Sequence, residues 1–167
     1  MRPIVIGIGN PYRHDDGVGL AIIEAVAELG LAIDVVEELG EPAALVERWQ
    51  DRELAILVDA AESGSQPPGT VHHFEVTATS DASGLQLTTA GRSSHALGVQ
   101  DAIEFGRALD RMPTRLVILG VEVADISSGT GLTQAVRSAV APVVELIAEQ
   151  IAQATTQLAT TQPPPDR

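Results

Sequence analysis

Short apolar runs separated by segments of helical period constrain this chain more than any other feature. Leu54 to Val58 is apolar throughout, and Pro3 to Ile8 and Arg115 to Val121 are nearly so. Runs of that length without polar alternation read as strands buried on both faces. From Asp16 onward Val18, Ile22, Val26 and Leu29 recur at helical spacing, with Gly30 as a stop. Ile33 to Glu37 reads as a second strand, and Glu41-Pro42 opens a helix to about Trp49. Thr70 to Val76 reads as a strand, with His72, Phe74 and Val76 on one face. Further helices are expected from about Ser94 to Leu109 and from about Thr133 to beyond Ile151, the latter despite Pro142. Such alternation predicts an α/β fold, a single three-layer αβα domain. Its mostly parallel central sheet of about five strands carries helices on both faces. The domain spans residues 1–153, and residues 154–167, with Gln162-Pro163-Pro164-Pro165, are expected to be a disordered tail.

Composition narrows the partners. Aromatic residues are 2 % of the chain, so the core must be built from Ala, Val, Ile and Leu. The net charge of −13 repels phosphate backbones, and Arg107, Arg111 and Arg115 are interleaved with Glu104 and Asp110. Nucleic acid is therefore not expected as a partner. The absence of cysteine excludes disulfides, thiolate metal sites and cysteine nucleophiles, and it fits a reducing compartment. Neither a signal-peptide pattern nor a run of ~18 apolar residues is present, so a soluble, cytoplasmic, monomeric protein without a membrane partner is expected.

In α/β sheets, ligands bind outside the carboxyl ends of the strands. The turn after the first strand runs Gly7-Ile8-Gly9-Asn10-Pro11-Tyr12-Arg13-His14-Asp15-Asp16-Gly17-Val18-Gly19. It fails as a dinucleotide fingerprint because Tyr12 stands where a third glycine belongs, and no Gly-Lys-Ser/Thr follows. What remains is a sharp turn that displays acids. Capping explains one of them, with Asp15 as the cap and Asp16 as the freer ligand. Asp59 closes the apolar run Leu54 to Val58, where a charge needs water, a partner or a metal. It neighbours Asp16 if the first and third strands pair. His95 lies in the first turn of a helix, whose dipole favours the neutral imidazole that ligates metal. His14, His72 and His73 compete with it. Adjacent His72 and His73 point to opposite faces of a strand and read as surface or packing residues. Two carboxylates and an imidazole suit nickel or zinc. There is no His-Glu-x-x-His helix and no Gly-x-Ser-x-Gly elbow.

On these residues the chain resembles the hydrogenase maturation endopeptidase family. The segments that carry the likeness are Gly7 to Pro11, Asp15 to Gly19, Val58-Asp59-Ala60 and Ser94 to Gly98, with Leu119-Gly120-Val121 before Gly131-Leu132-Thr133. The resemblance implies an endopeptidase that clips a C-terminal extension from the large-subunit precursor of [NiFe] hydrogenase after nickel insertion. It implies that Asp16, Asp59 and His95 probe a nickel ion supplied by the substrate, with no tightly bound cofactor of the enzyme's own. Nickel would then polarise the scissile carbonyl or a water, with Asp59 or Asp16 as base. Two stretches depart from the family: Glu38 to Ala43 lacks a glycine-rich segment, and the loop from Thr77 to Arg92 is idiosyncratic. A peptidyl-tRNA hydrolase shares the opening Gly-x-Gly-Asn-Pro and is the runner-up, although His14 is followed by Asp15 rather than Asn. A non-catalytic metal- or peptide-binding module is the third reading.

Overall fold

In the computed structural model, the strands are β1 (Ile4–Ile8), β2 (Asp34–Glu38), β3 (Leu54–Ala61), β4 (Val71–Val76) and β5 (Arg115–Glu122). The helices are α1 (Val18–Glu28), α2 (Pro42–Trp49), α3 (Ser94–Ala108) and α4 (Gln134–Thr161). The structure describes residues 2–77 and 94–161, and the side chains of 2–77 and 98–156. The five strands form one sheet in the order β2-β1-β3-β5-β4, parallel except for β4, which runs antiparallel to β5.

The apolar runs are buried on both faces because each face meets a helix pair. Along β3, Leu54, Ile56 and Val58 pack with Ile22 and Val26 of α1 and with Val143 and Ile147 of α4. The alternate residues Ala55 and Leu57 pack with Leu45 and Trp49 of α2 and with Val99 and Ile103 of α3. The three-layer αβα arrangement expected from the sequence is present. No helix among the described residues is long and apolar enough to cross a membrane.

Several boundaries differ from the sequence reading. α1 starts at Val18 and is preceded by a 3-10 turn, His14–Gly17, rather than starting at Asp16. β3 continues through Asp59 to Ala61, because Asp59 pairs with Gly120 and Ala61 with Glu122 on β5. α4 extends to Thr161, into the stretch expected as a disordered tail from residue 154. Ile151 still packs on the core, and the Thr155 hydroxyl bonds the Ile151 carbonyl, so the helix pattern persists past the sheet. Most of the loop expected from Thr77 to Arg92 lies outside the described residues.

Two glycines let α1 lie directly on the sheet. A Cβ at Gly19 would sit 2.6 Å from the Val58 carbonyl and closer still to that of Ile8, so α1 rests on the carboxyl ends of β1 and β3. A Cβ at Gly7 would meet the Gly19 carbonyl at 2.7 Å. Gly30 has φ +63 and open space around it. Gly19→Ala is therefore expected to destabilise the fold by about 3 kcal/mol through backbone displacement. Gly30→Ala should cost only about 1 kcal/mol through its left-handed φ. Urea unfolding of both variants checks the difference.

Candidate active site

The turn after β1 is built to cross the sheet edge and return. The Asn10 N–H donates to the Asp16 carbonyl at 3.3 Å, and the Asn10 side chain accepts the Tyr12 N–H at 2.9 Å. Gly9 (φ +153) has no room for a side chain because the Asp16 carbonyl fills that space. His14, at φ 45, donates its backbone N–H to Gly129 at 3.0 Å, and its ring Nδ1 lies 3.1 Å from the Gly131 carbonyl. Its ring occupies the place of a side chain at Gly129. This turn is thereby clasped to the segment between β5 and α4.

Asp15 is the centre of that clasp. Its fully buried carboxylate accepts the N–H groups of Ala124 (3.0 Å), Asp125 (3.1 Å) and Thr133 (2.6 Å), and the Thr133 hydroxyl (2.9 Å). Burial pushes its pKa up, but the donors from Thr133, Ala124 and Asp125 outweigh it and hold the group below the usual carboxylate range. The sequence reading made Asp15 the cap of the following helix. Instead, α1 has no side-chain cap, and Asp15 serves the start of α4.

Asp16 and Asp59 come together at the carboxyl edge of β1 and β3. They are 2 % and 7 % exposed. Because β1 and β3 are paired, the turn after β1 carries Asp16 over the end of β3. Asp59 shares its strand face with Ala55 and Leu57, toward α2 and α3. Burial raises its pKa to about 8; the Ala60 N–H, 2.8 Å from Oδ1, opposes this and the Asp16 charge adds to it. At neutral pH Asp59 therefore carries a proton. In that state Asp59 is a carboxylic acid able to donate a proton.

His95 is the second residue of α3. Its side chain lies outside the described residues. The helix start itself is at the right edge: Gly98 packs so tightly on the Gly40 carbonyl, just beyond β2, that a Cβ would overlap it. Among the described residues no group of three or more candidate metal ligands is gathered.

One polar cluster escaped the sequence reading. Glu122, buried at the end of β5, accepts the Ser63 hydroxyl (2.9 Å), the Gly64 N–H (3.0 Å) and His72 Nε2 (2.9 Å). His72 thus has a specific partner, and the pair fastens the start of β4 and the preceding loop to β5. An acid closing an apolar strand was the available signal, and it is the same signal that had singled out Asp59.

A model of the hydrogenase maturation protease family matches residues 23–150. The chain is 30 % identical over 150 residues to the hydrogenase 2 maturation protease of Escherichia coli, covering 88 % of each. It is 25 % identical over 154 residues to the hydrogenase expression/formation protein HupD of Thiocapsa roseopersicina, covering 90 % of this chain and 67 % of that one. Among solved structures, the hydrogenase maturating endopeptidase HybD of E. coli superposes with a TM-score of 0.77 at 26 % identity, covering 92 % of this chain and 94 % of that one. The [NiFe] hydrogenase maturation protease HybD of Thermococcus kodakarensis superposes with a TM-score of 0.74 at 27 % identity, covering 90 % and 99 %.

Two consequences follow from the opposite states of these acids. Asp59 ionises near the ordinary carboxylate value of 3.8 when unfolded but only at about 8 in the fold, so the folded chain binds the extra proton between those values. Stability should accordingly fall as pH rises from about 4 to about 8. Asp59→Asn should be more stable than the wild type by a few kcal/mol near pH 8, and the gap should close near pH 4. Urea titrations at both pH values test this. Asp15 has the reverse sign: its lowered pKa stabilises the fold above about pH 4 and is lost below it. Asp15→Asn should cost about 3 kcal/mol at pH 7 and speed amide exchange across residues 124–133.

Proposed function

The chain belongs to the hydrogenase maturation protease family, and from that premise we propose that Asp16, Asp59 and His95 recognise nickel carried by a [NiFe] hydrogenase large-subunit precursor. The protein is an endopeptidase, and the proposed reaction removes the precursor's C-terminal extension once nickel is in place. The enzyme acts in the cytoplasm as a monomer and holds no cofactor of its own; the nickel is part of the substrate.

The observation that carries this reading is the buried Asp16–Asp59 pair, with Asp59 held neutral by burial. Two carboxyl groups at close range in low dielectric disfavour a second negative charge. A dication relieves that conflict: Asp59 gives up its proton and both acids become ligands. A nickel-free precursor offers no such compensation, which leaves Asp59 protonated and the grip weak. His95, in the first turn of α3, adds a neutral nitrogen donor to the oxygen pair.

For hydrolysis, nickel on the substrate polarises the scissile carbonyl or a water, and the uncoordinated oxygen of Asp59 or Asp16 takes the water's proton and passes it to the leaving amine nitrogen. The Asp15 clasp keeps Asp16 in place without joining the chemistry.

Purified protein incubated with nickel-loaded and nickel-free precursor tests the reading. Wild type should process only the loaded form. Asp16→Ala, Asp59→Ala and His95→Ala should each lower processing by about 100-fold or more. Full processing by Asp16→Ala and Asp59→Ala would overturn the assignment.

A further inference from the structure

We propose that the groove between α1 and the free edge of β2 binds an extended, basic segment of the precursor polypeptide. This rests on the reading that the substrate is a protein, and it assigns a surface that the acid pair does not use.

Among the described residues β2 is the outermost strand and bonds only to β1, so its other edge presents backbone groups that none of those residues pairs. Beside it runs a groove of about 580 Å³, walled by Leu20, Ala21 and Glu24 of α1 and by Val35, Val36 and Glu37 of β2. Side chains alternate along a strand, so three consecutive lining residues mean that the backbone edge itself faces the groove. An extended chain laid there would gain ladder hydrogen bonds and place alternate side chains on an apolar floor.

Exposed apolar side chains mark both ends. Tyr12 (72 % exposed) and Leu39 (71 %) lie next in sequence to the turn and strand that line one end. Leu29 and Leu31 lie at the other, between α1 and β2. The remaining large exposed apolar residues among those described are Phe105 and Leu109. Such a concentration along one edge is what a protein-binding surface needs.

Charge selects the occupant. Asp34 and Glu38 of β2 are already paired with Arg52 and Arg48. Glu24 and Glu37 have no ion pair among the described residues, and the one basic side chain lining the groove, His14, turns Nδ1 toward the Gly131 carbonyl. The two acids therefore suit lysine or arginine from a partner. A second copy of this chain would bring the same acids and a net charge of −13 to the same edge, which repels it. Pro11 and Gly17 line the upper end of the groove and flank the turn that carries Asp16. A segment seated here therefore runs up to the turn that carries Asp16.

Steady-state processing of nickel-loaded precursor by wild type, Glu24→Lys/Glu37→Lys and Glu24→Gln/Glu37→Gln tests the groove, with urea midpoints to establish folding. The lysine pair should raise KM by about tenfold while kcat stays within about twofold. The glutamine pair should raise KM less and weaken its dependence on salt. An unchanged KM in the folded lysine pair would overturn the proposal. So would self-association of wild type that the lysine pair disrupts. If wild type cleaves no precursor, the proteolytic reading fails by itself. Binding of uncleaved precursor to wild type and to the lysine pair then decides the groove: weaker binding by the variant supports it, and equal binding sinks it.

Discussion

The hydrogen bonds that converge on the Asp15 carboxylate determine the geometry of the whole carboxyl edge. The turn it occupies leaves β1, while its donors Ala124, Asp125 and Thr133 follow β5, and β3 lies between those strands. Backbone bonding between the two loops is confined to an isolated parallel bridge between Arg13 and Gly129 and to the Asp15 N–H on the Asp125 carbonyl (2.9 Å). The buried carboxylate adds most to their union, because charge-assisted bonds in low dielectric are strong and leaving the donors unmet would be expensive. The Tyr12–Gly129 and His14–Gly129 backbone bonds then close the clasp. Asp16 is the next residue in the chain, so its position above β3 is inherited from this interaction.

Asp15 and Asp59 illustrate how burial alone decides nothing about a carboxyl group. Burial pushes both upward, yet they end on opposite sides of neutrality. For Asp15, donors from two segments overcompensate the lost water. For Asp59, the Ala60 N–H is too little, and the neighbouring Asp16 charge makes ionisation harder. One acid is consequently an anion that organises structure, and the other holds a proton at neutral pH. Both acids sit among closely packed backbone: the Asp16 carbonyl fills the side-chain space at Gly9, and the Ile8 and Val58 carbonyls fill that at Gly19.

The sheet was legible because its strands are apolar enough to have no other plausible place. Ile56, Leu57 and Val117 need cover on both faces, and only a sheet between helix layers supplies it. The acids were legible as a set, since charged residues ending apolar runs are conspicuous. Their division of labour was not. Capping is a local rule, and it assigned Asp15 to the helix that follows it; its true donors lie 109 to 118 residues away, beyond the reach of any local pattern. Asp59 read as the residue that ends the strand, whereas β3 keeps pairing with β5 through Asp59–Gly120 to Ala61–Glu122 and draws the acid inside. That extension depends on β5 continuing alongside. His72 was equally opaque: its role follows from Glu122 on the neighbouring antiparallel pair, and adjacent strands exchange no signal in sequence.

The excess negative charge of the chain acts at two ranges under the proposed function. At long range it draws a basic segment toward the groove beside β2, and this attraction is screened by salt and indifferent to the metal state of the substrate. At short range the buried acids respond to a dication and to little else, because a single positive charge on a flexible side chain brings its own desolvation cost into a site already walled by backbone. The first interaction can therefore hold loaded and empty precursors alike, and the second separates them. Such an ordering gives the enzyme time to interrogate the metal before committing to hydrolysis. Under the proposed function, discrimination then resides in the protonation of one strand residue, Asp59, which its burial sets rather than the sequence of the peptide bond that is cut.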